Sequence, residues 1–111
     1  DYVLLDRYID STIAYQGYGN QFNRDILKDL NRLATNGCLP YKTLLIDVDL
    51  EMARERARKR GEKDKFDKDL EFAHRVYEGY QELSKELDRM IVIPNDSFDL
   101  ALEDIYYQIL N

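Results

Sequence analysis

The chain has 111 residues, which suit one domain and leave no room for a second hydrophobic core. Its formal net charge of -6 excludes a broad basic surface, so we expect no nucleic-acid partner. Its apolar runs are far shorter than a membrane span, so we expect no membrane partner either.

The only cysteine, Cys38, cannot form a disulfide within the chain, and no basic-then-apolar leader opens the sequence. A reducing, cytoplasmic location is therefore expected. The chain begins directly on an apolar run at residues 2–5, whereas a natural N-terminus more often begins with polar residues. We therefore expect further sequence upstream of Asp1.

The first predicted elements are a strand and two helices. The continuous apolar run at residues 2–5 is typical of a parallel strand that is buried on both faces. A helix is predicted from residue 10 to about residue 15, where two glycines interrupt it. Asn23 is placed to cap the next helix, and Gly37 is placed to end it.

The remaining elements alternate in type. They are predicted as a strand at 43–48, a helix from 50 to about 60, a helix over 70–87, a strand at 90–93 and a final helix through 102–109. Asp49 is placed to cap the first of these helices, and the charged stretch over 61–68 breaks the pattern after it. Strands that alternate with helices predict an α/β fold with a parallel sheet and right-handed crossovers.

Ligands of such sheets bind beyond the carboxyl ends of the strands. Residues 6–7, 47–49 and 95–97 follow those ends. Arg7 would present a planar fork of donors suited to phosphate oxygens. Asp6 could orient that guanidinium or act near a transferred group.

A set of polar and aromatic side chains follows Arg7 within two helical turns, and it comprises Ser11, Thr12, Tyr15 and Gln16. The last three are three or four residues apart and can share one helix face. A hydroxyl, an aromatic ring and an amide could together recognise a flat base with donor and acceptor edges. The alternative is an ion pair at a strand end, followed by a helix whose polar side faces water. Spacing alone gives the two interpretations about even weight.

The segment 3–17, a strand followed by Asp-Arg-Tyr-x-x-Ser-x-x-Ala-Tyr-Gln-Gly, resembles the signature of thymidylate kinases without a gap. The resemblance implies that Arg7 contacts the phosphate of dTMP and the transferred phosphoryl group, and that Asp6 belongs to the same catalytic cluster. In the same segment it implies that Ser11 binds dTMP and that Thr12, Tyr15 and Gln16 lie against its thymine and sugar.

A local concentration of basic residues lies within this acidic chain, at Arg54, Arg56, Arg58, Lys59, Arg60, Lys63 and Lys65. Arg56 and Arg60 are four residues apart, so they would project from one helix face. Such a cluster could clamp phosphates. The alternative, a solvated helix with weak ion pairs, is favoured about two to one for a generic helix.

The same stretch resembles the lid of thymidylate kinases, with the lid itself at about residues 57–68. The resemblance implies that this lid closes over ATP and the acceptor phosphate and excludes water. It implies catalytic and ATP-binding roles for Arg56 and Arg60, and positions near dTMP for Asp64 and Phe66. Lys65 stands where bacterial relatives often carry arginine, and a lysine cannot form a bidentate fork.

Residues 1–111 are thus similar to the C-terminal part of a thymidylate kinase domain. The implied fold is the parallel-sheet P-loop kinase fold, with three α/β/α layers. No Gly-x-x-x-x-Gly-Lys-[Ser/Thr] sequence occurs in the chain. We therefore expect the N-terminal P-loop strand and helix to be absent and the sheet to be incomplete.

The resemblance implies transfer of the γ-phosphate of ATP to dTMP by a homodimer, with Mg2+ as cofactor. The alternative is a noncatalytic fragment that binds a nucleotide or a partner chain. Because nothing in the chain can hold the β-phosphate of ATP, the isolated chain is expected to be inactive. His74 is the only histidine and has no neighbouring ligand, so no protein metal site is expected.

Overall fold

The structure, a computed structural model, describes residues 2–95 and 98–110, without the side chains of residues 98 and 99. The elements in chain order are α1 (Ile9–Thr12), the π-helical segment π1 (Ile13–Gly19), α2 (Arg24–Thr35), β1 (Thr43–Asp47), α3 (Leu50–Lys59), α4 (Lys63–Lys68), α5 (Leu70–Glu86), β2 (Met90–Pro94) and α6 (Phe98–Leu110). Of the predicted ligand-binding stretch at 95–97, Asn95 is described, and residues 96 and 97 lie outside the described residues.

The two strands are parallel, with β1 against β2 in a register that runs from Thr43 opposite Met90 to Asp47 opposite Pro94. Helices α3 to α5 form the connection between them. The core lies where π1 and α5 meet the sheet, and its buried members are Ile13, Ala14, Val76, Leu83 and Met90. The predicted α/β arrangement with a parallel sheet is therefore confirmed.

Residues 2–5 do not form the predicted strand, and this prediction is wrong. Their backbone is irregular, and their side chains are between 60% and 83% exposed. A strand needs a neighbour that supplies backbone hydrogen bonds. The sheet of the described chain contains only β1 and β2, and neither pairs with this run. An apolar sequence indicated burial here, but among the described residues no strand lies beside this run to bury it.

The helix predicted for residues 10–15 is longer and of mixed type, because π1 continues α1 to Gly19. Its glycines do not interrupt it. Gly19 allows close packing against α5, and Gly17 allows close packing against α2, where a Cβ atom would lie 2.8 Å from Arg24. A Cβ atom on Gly19 would lie 2.6 Å from the ring of Phe72, and one on Gly79 would lie 2.7 Å from Tyr18. Segments of π-helix are rare and occur often at functional sites.

The predicted helix caps are confirmed at both N-termini. The side chain of Asn23 accepts hydrogen bonds from the backbone N–H groups of Asp25 and Ile26 at 2.9 and 3.2 Å. The side chain of Asp49 accepts one from Met52 at 2.7 Å. At the other end of α2, the left-handed C-cap residue is Asn36, one residue before the predicted Gly37.

The charged stretch after α3 is more ordered than the sequence pattern indicated. A turn at Gly61, whose φ is +75°, is followed directly by α4.

Along the described part of the chain, no helix combines the length and the apolar character that crossing a bilayer requires.

Candidate functional site

Arg7 and Tyr15, two predicted site residues, lie in direct contact. A terminal nitrogen of Arg7 donates a hydrogen bond to the Tyr15 hydroxyl at 3.1 Å. The guanidinium carbon lies 4.9 Å from the centre of the Tyr15 ring, which is within the range of a cation–π contact. The Tyr15 ring in turn packs on Phe72 and Tyr80 of α5, with centroid separations of 6.1 and 6.2 Å. Arg7 is thus held over an aromatic cluster whose base is α5.

The backbone of Arg7 is strained. Its φ is +67°, in the left-handed region that favours glycine. For a residue with a Cβ atom this conformation costs about 1–2 kcal/mol. Such strain persists only where the surrounding structure maintains it, and it is concentrated at functional sites. Gln21 and Asn36 also have a positive φ, at +62° and +53°, so the strain supports a role for Arg7 only together with its sequence motif.

Ser11 is joined to α5 through Tyr80. The two hydroxyl oxygens lie 2.8 Å apart. Burial raises the pKa of Tyr80, and the hydrogen bond with Ser11 partly offsets this effect. Tyr80 therefore keeps its proton at neutral pH, so that it and Ser11 form an uncharged hydrogen bond.

The other predicted members of the acceptor segment are more open. Thr12 is half-buried and Gln16 is exposed, with its side-chain oxygen accepting a hydrogen bond from Asn20 at 2.7 Å. Asp6 is exposed, and within the described residues it makes no hydrogen bond or ion pair. Tyr15, rather than Asp6, contacts the guanidinium of Arg7. A catalytic role of Asp6 stays a prediction.

The basic stretch forms a corner between α3 and α4, and several of its charges are paired. Arg54 forms a bidentate ion pair with Asp67, at 2.9 and 3.2 Å. Arg60 reaches Glu62 at 3.3 Å. Arg56 is exposed and, so far as the described residues extend, has no ion pair. The Arg60 pair is exposed on both sides, with side chains 60% and 56% accessible to solvent.

The predicted lid residues Asp64 and Phe66 lie on α4, where Asp64 is exposed and Phe66 is half-buried. In the part of the chain that the structure describes, no hydrogen bond or ion pair joins this corner to Arg7. Helix α5 connects the two predicted clusters. It follows α4 in the chain, and its residues Phe72 and Tyr80 contact the Tyr15 ring.

A buried ion pair between Asp10 and Arg89 was not predicted from the sequence. Arg89 donates a hydrogen bond to one carboxylate oxygen of Asp10 at 2.9 Å, and Thr43 donates to the other at 2.8 Å. Asp10 is only 6% exposed. The one signal of this pair in the sequence was the charged Asp10 inside the signature segment. Its partner lies 79 residues further along the chain, so local spacing could not reveal the pair.

The described residues include no group of three or more His, Cys, Asp or Glu side chains that could hold a metal ion. His74 lies near Glu78 on the solvent side of α5, at 3.2 Å.

Comparison with known proteins agrees with this architecture. The parallel strands and their helical connection form a partial α/β P-loop kinase fold. The family model of thymidylate kinase matches residues 1–105, and the chain therefore belongs to the thymidylate kinase family.

Curated relatives from three bacteria are similar to nearly all of the chain. The thymidylate kinase of Trichodesmium erythraeum is 42% identical over 108 residues, which are 96% of this chain and 47% of the relative. That of an Exiguobacterium species is 42% identical over 110 residues, 98% of this chain and 51% of the relative. That of Staphylococcus epidermidis is 41% identical over 112 residues, which are 97% of this chain and 55% of the relative. The chain thus spans about half the length of the curated relatives it matches.

Proposed function

We propose that the complete protein containing this chain is a thymidylate kinase, which transfers the γ-phosphate of ATP to dTMP and yields dTDP. Family membership supports the reaction class. The observation that carries the proposal is Arg7, whose strained backbone and contact with Tyr15 place a guanidinium at the start of the signature segment.

Arg7 binds the phosphate of dTMP in this proposal and stabilises the negative charge of the transferred group. A guanidinium has five N–H donors, and Tyr15 accepts a hydrogen bond from one terminal nitrogen. The remaining donors can bind phosphate oxygens in a bidentate manner. Placing a fixed positive charge where charge develops during phosphoryl transfer is the main way in which such enzymes accelerate the reaction. Asp6 is proposed as a member of the same catalytic cluster.

The thymine and sugar of dTMP lie against the helical segment that follows Arg7. Tyr15 offers an aromatic face that is already fixed by two neighbouring rings. The hydroxyl and amide groups that would contact the nucleotide belong to Ser11, Thr12 and Gln16. Their partial exposure leaves them accessible to a ligand.

The corner between α3 and α4 is proposed as the lid, at about residues 57–68. Arg56 is free for a phosphate, and the exposed pair of Arg60 with Glu62 can exchange its carboxylate for one. Both arginines are proposed to bind ATP and to act in catalysis. Asp64 and Phe66 are proposed to approach dTMP when the lid closes.

Mg2+ as the cofactor of ATP, a homodimeric state and a cytoplasmic location belong to the same proposal. Mg2+ rests on the family resemblance. For a second subunit, the support is the exposed apolar side of α2, where Ile26, Leu30 and Leu33 are between 54% and 79% exposed. For the compartment, the support is the single cysteine.

A noncatalytic nucleotide-binding or partner-binding fragment is the second candidate. It is favoured by the absence of Gly-x-x-x-x-Gly-Lys-[Ser/Thr] from the 111 residues and by the half-length match to the relatives. That motif supplies the backbone amides and the lysine that hold the phosphates of ATP.

The test measures dTDP formation from dTMP and ATP by the complete protein and by residues 1–111 alone. We expect product from the first and none from the second. Arg7→Ala in the complete protein should lower turnover by about a hundredfold or more. The matched control is Arg32→Ala, which removes another exposed arginine, one that forms an ion pair with Asp29. A complete protein that binds dTMP without forming dTDP would support the second candidate.

A further inference from the structure

Asp10 is the one buried polar or charged residue among the side chains that the structure describes. Both of its carboxylate oxygens are occupied. One accepts from Arg89 at 2.9 Å, and the other accepts from Arg89 and from Thr43. Arg89 also donates to the Thr43 hydroxyl at 2.9 Å. The three side chains therefore form a closed network.

The network joins three separate parts of the fold. Asp10 lies on α1, Thr43 is the first residue of β1, and Arg89 directly precedes β2. The hydrogen bond between Asp10 and Arg89 raises the pKa of the guanidinium. Removal of either partner leaves an uncompensated charge in a site with little water, so the pair resists separation.

Helix α1 depends on such external contacts. It is the N-terminal turn of a helix that π1 continues, it has no side-chain cap, and the first N–H groups of a helix have no partner within the helix. Its other tethers are the hydrogen bonds from Asn31 to the Ile9 carbonyl, at 3.2 Å, and between Ser11 and Tyr80. The bidentate pair of Asp10 is the contact that fixes α1 against both strands.

Asp10 lies within the acceptor segment, three residues after Arg7 and directly before Ser11 and Thr12. We propose that Asp10, Arg89 and Thr43 are positioning residues of the acceptor site. They fix the placement of α1, and with it the geometry that Arg7, Ser11 and Thr12 present to dTMP. This inference rests on the proposed function, and it adds a role to three residues that do not touch the substrate.

The chemistry of the pair suits positioning better than stabilisation. A buried ion pair contributes little more than apolar contacts of the same size, but it accepts only one geometry. A bidentate guanidinium–carboxylate pair is planar and directional, so it fixes the rotation of α1 as well as its distance from the sheet. A displacement of about 1 Å of a substrate-binding group can lower the rate by about a hundredfold.

The test compares Asp10→Asn, Arg89→Gln and the double variant in the complete protein. The double variant removes both charges and leaves no uncompensated charge buried, so it should fold. We expect it to raise the KM for dTMP about tenfold and to leave the KM for ATP within about twofold. Each single change should have nearly the full effect, because the residues act as one unit. Additive single effects, or an equal rise of both KM values, would overturn the proposal.

Two control variants separate positioning from general loss of stability. Glu82→Gln removes an exposed ion pair with Lys85, away from the proposed lid and acceptor segment, and should change neither KM. Ile93→Ala opens a cavity at a residue only 2% exposed and should lower the melting temperature without a selective effect on dTMP. If Ile93→Ala reproduces the selective rise, the pair has no positioning role.

Amide hydrogen exchange supplies a readout that does not need activity. In the double variant, exchange over residues 9–16 should accelerate at least tenfold more than exchange in α5, because α1 has lost its attachment. Uniform exchange would refute the inference even in an active enzyme. If the wild-type complete protein forms no dTDP, the proposed function fails, while selective exchange over 9–16 would still support the positioning of α1.

Discussion

Tyr15 provides a graded perturbation of the candidate acceptor site. Tyr15→Phe removes only the hydroxyl, and with it the 3.1 Å hydrogen bond from Arg7. The ring contacts with Phe72 and Tyr80 remain. Tyr15→Leu removes those contacts and the cation–π contact as well.

The magnitudes follow from the contacts that each change removes. One hydrogen bond contributes about 0.5–1.5 kcal/mol to folding, so Tyr15→Phe should lower the free energy of unfolding by about 1 kcal/mol. Tyr15→Leu also removes two aromatic pairs, which contribute about 0.5–1.5 kcal/mol each. It removes in addition an exposed cation–π contact, which contributes about 0.5–1 kcal/mol. The expected total for that variant is about 2–5 kcal/mol.

Urea unfolding followed by circular dichroism measures these differences. The matched control is Tyr2→Phe, which removes a hydroxyl from a residue that is 73% exposed, and we expect a change within about 0.5 kcal/mol. The assignment of Arg7 to the Tyr15 cluster is refuted if Tyr15→Phe behaves like this control and Tyr15→Leu costs less than about 1 kcal/mol.

Two further predictions concern α5. Gly79→Ala should destabilise the fold by about 1–3 kcal/mol in urea unfolding, because the new Cβ atom would lie 2.7 Å from Tyr18, and an unchanged midpoint would contradict this packing. Tyr80→Phe should alter the dependence of stability on alkaline pH. Burial raises the pKa of Tyr80 in the folded state above its ordinary value of 10.0, so its stabilising contribution is complete below that pH and is lost as the pH rises through the folded-state pKa. The wild type should therefore lose stability more steeply than Tyr80→Phe above about pH 10, and parallel curves would refute the shift.

Local sequence signals predicted the elements that depend on neighbouring residues. Asn23 and Asp49 cap their helices as predicted, because a cap needs only backbone N–H groups two or three residues away. The strands at Thr43–Asp47 and Met90–Pro94 were also predicted correctly. Their apolar runs are bounded by polar residues. The two strands pair in parallel, and α3 to α5 connect them.

The strand predicted at residues 2–5 failed for a physical reason. Apolar character shows that a segment gains from burial, but a strand also needs a partner for its backbone. The described chain provides a two-stranded sheet, in which β1 and β2 pair only with each other. The spacing of apolar residues likewise does not reveal the π-helix or the close contact of Gly19 with Phe72 of α5.

The sequence alone predicted the candidate site, since the motif around Arg7 contains residue types that can bind a phosphate and a base. Tertiary structure alone decided how they are held. Arg7 lies on Tyr15 rather than beside Asp6, and Ser11 reaches Tyr80, 69 residues away. Asp10 finds Arg89 at a separation of 79 residues. Such pairs form only when the strands and α5 have packed, because a hydrogen bond depends on atomic distance and direction, and sequence spacing specifies these only within a few residues.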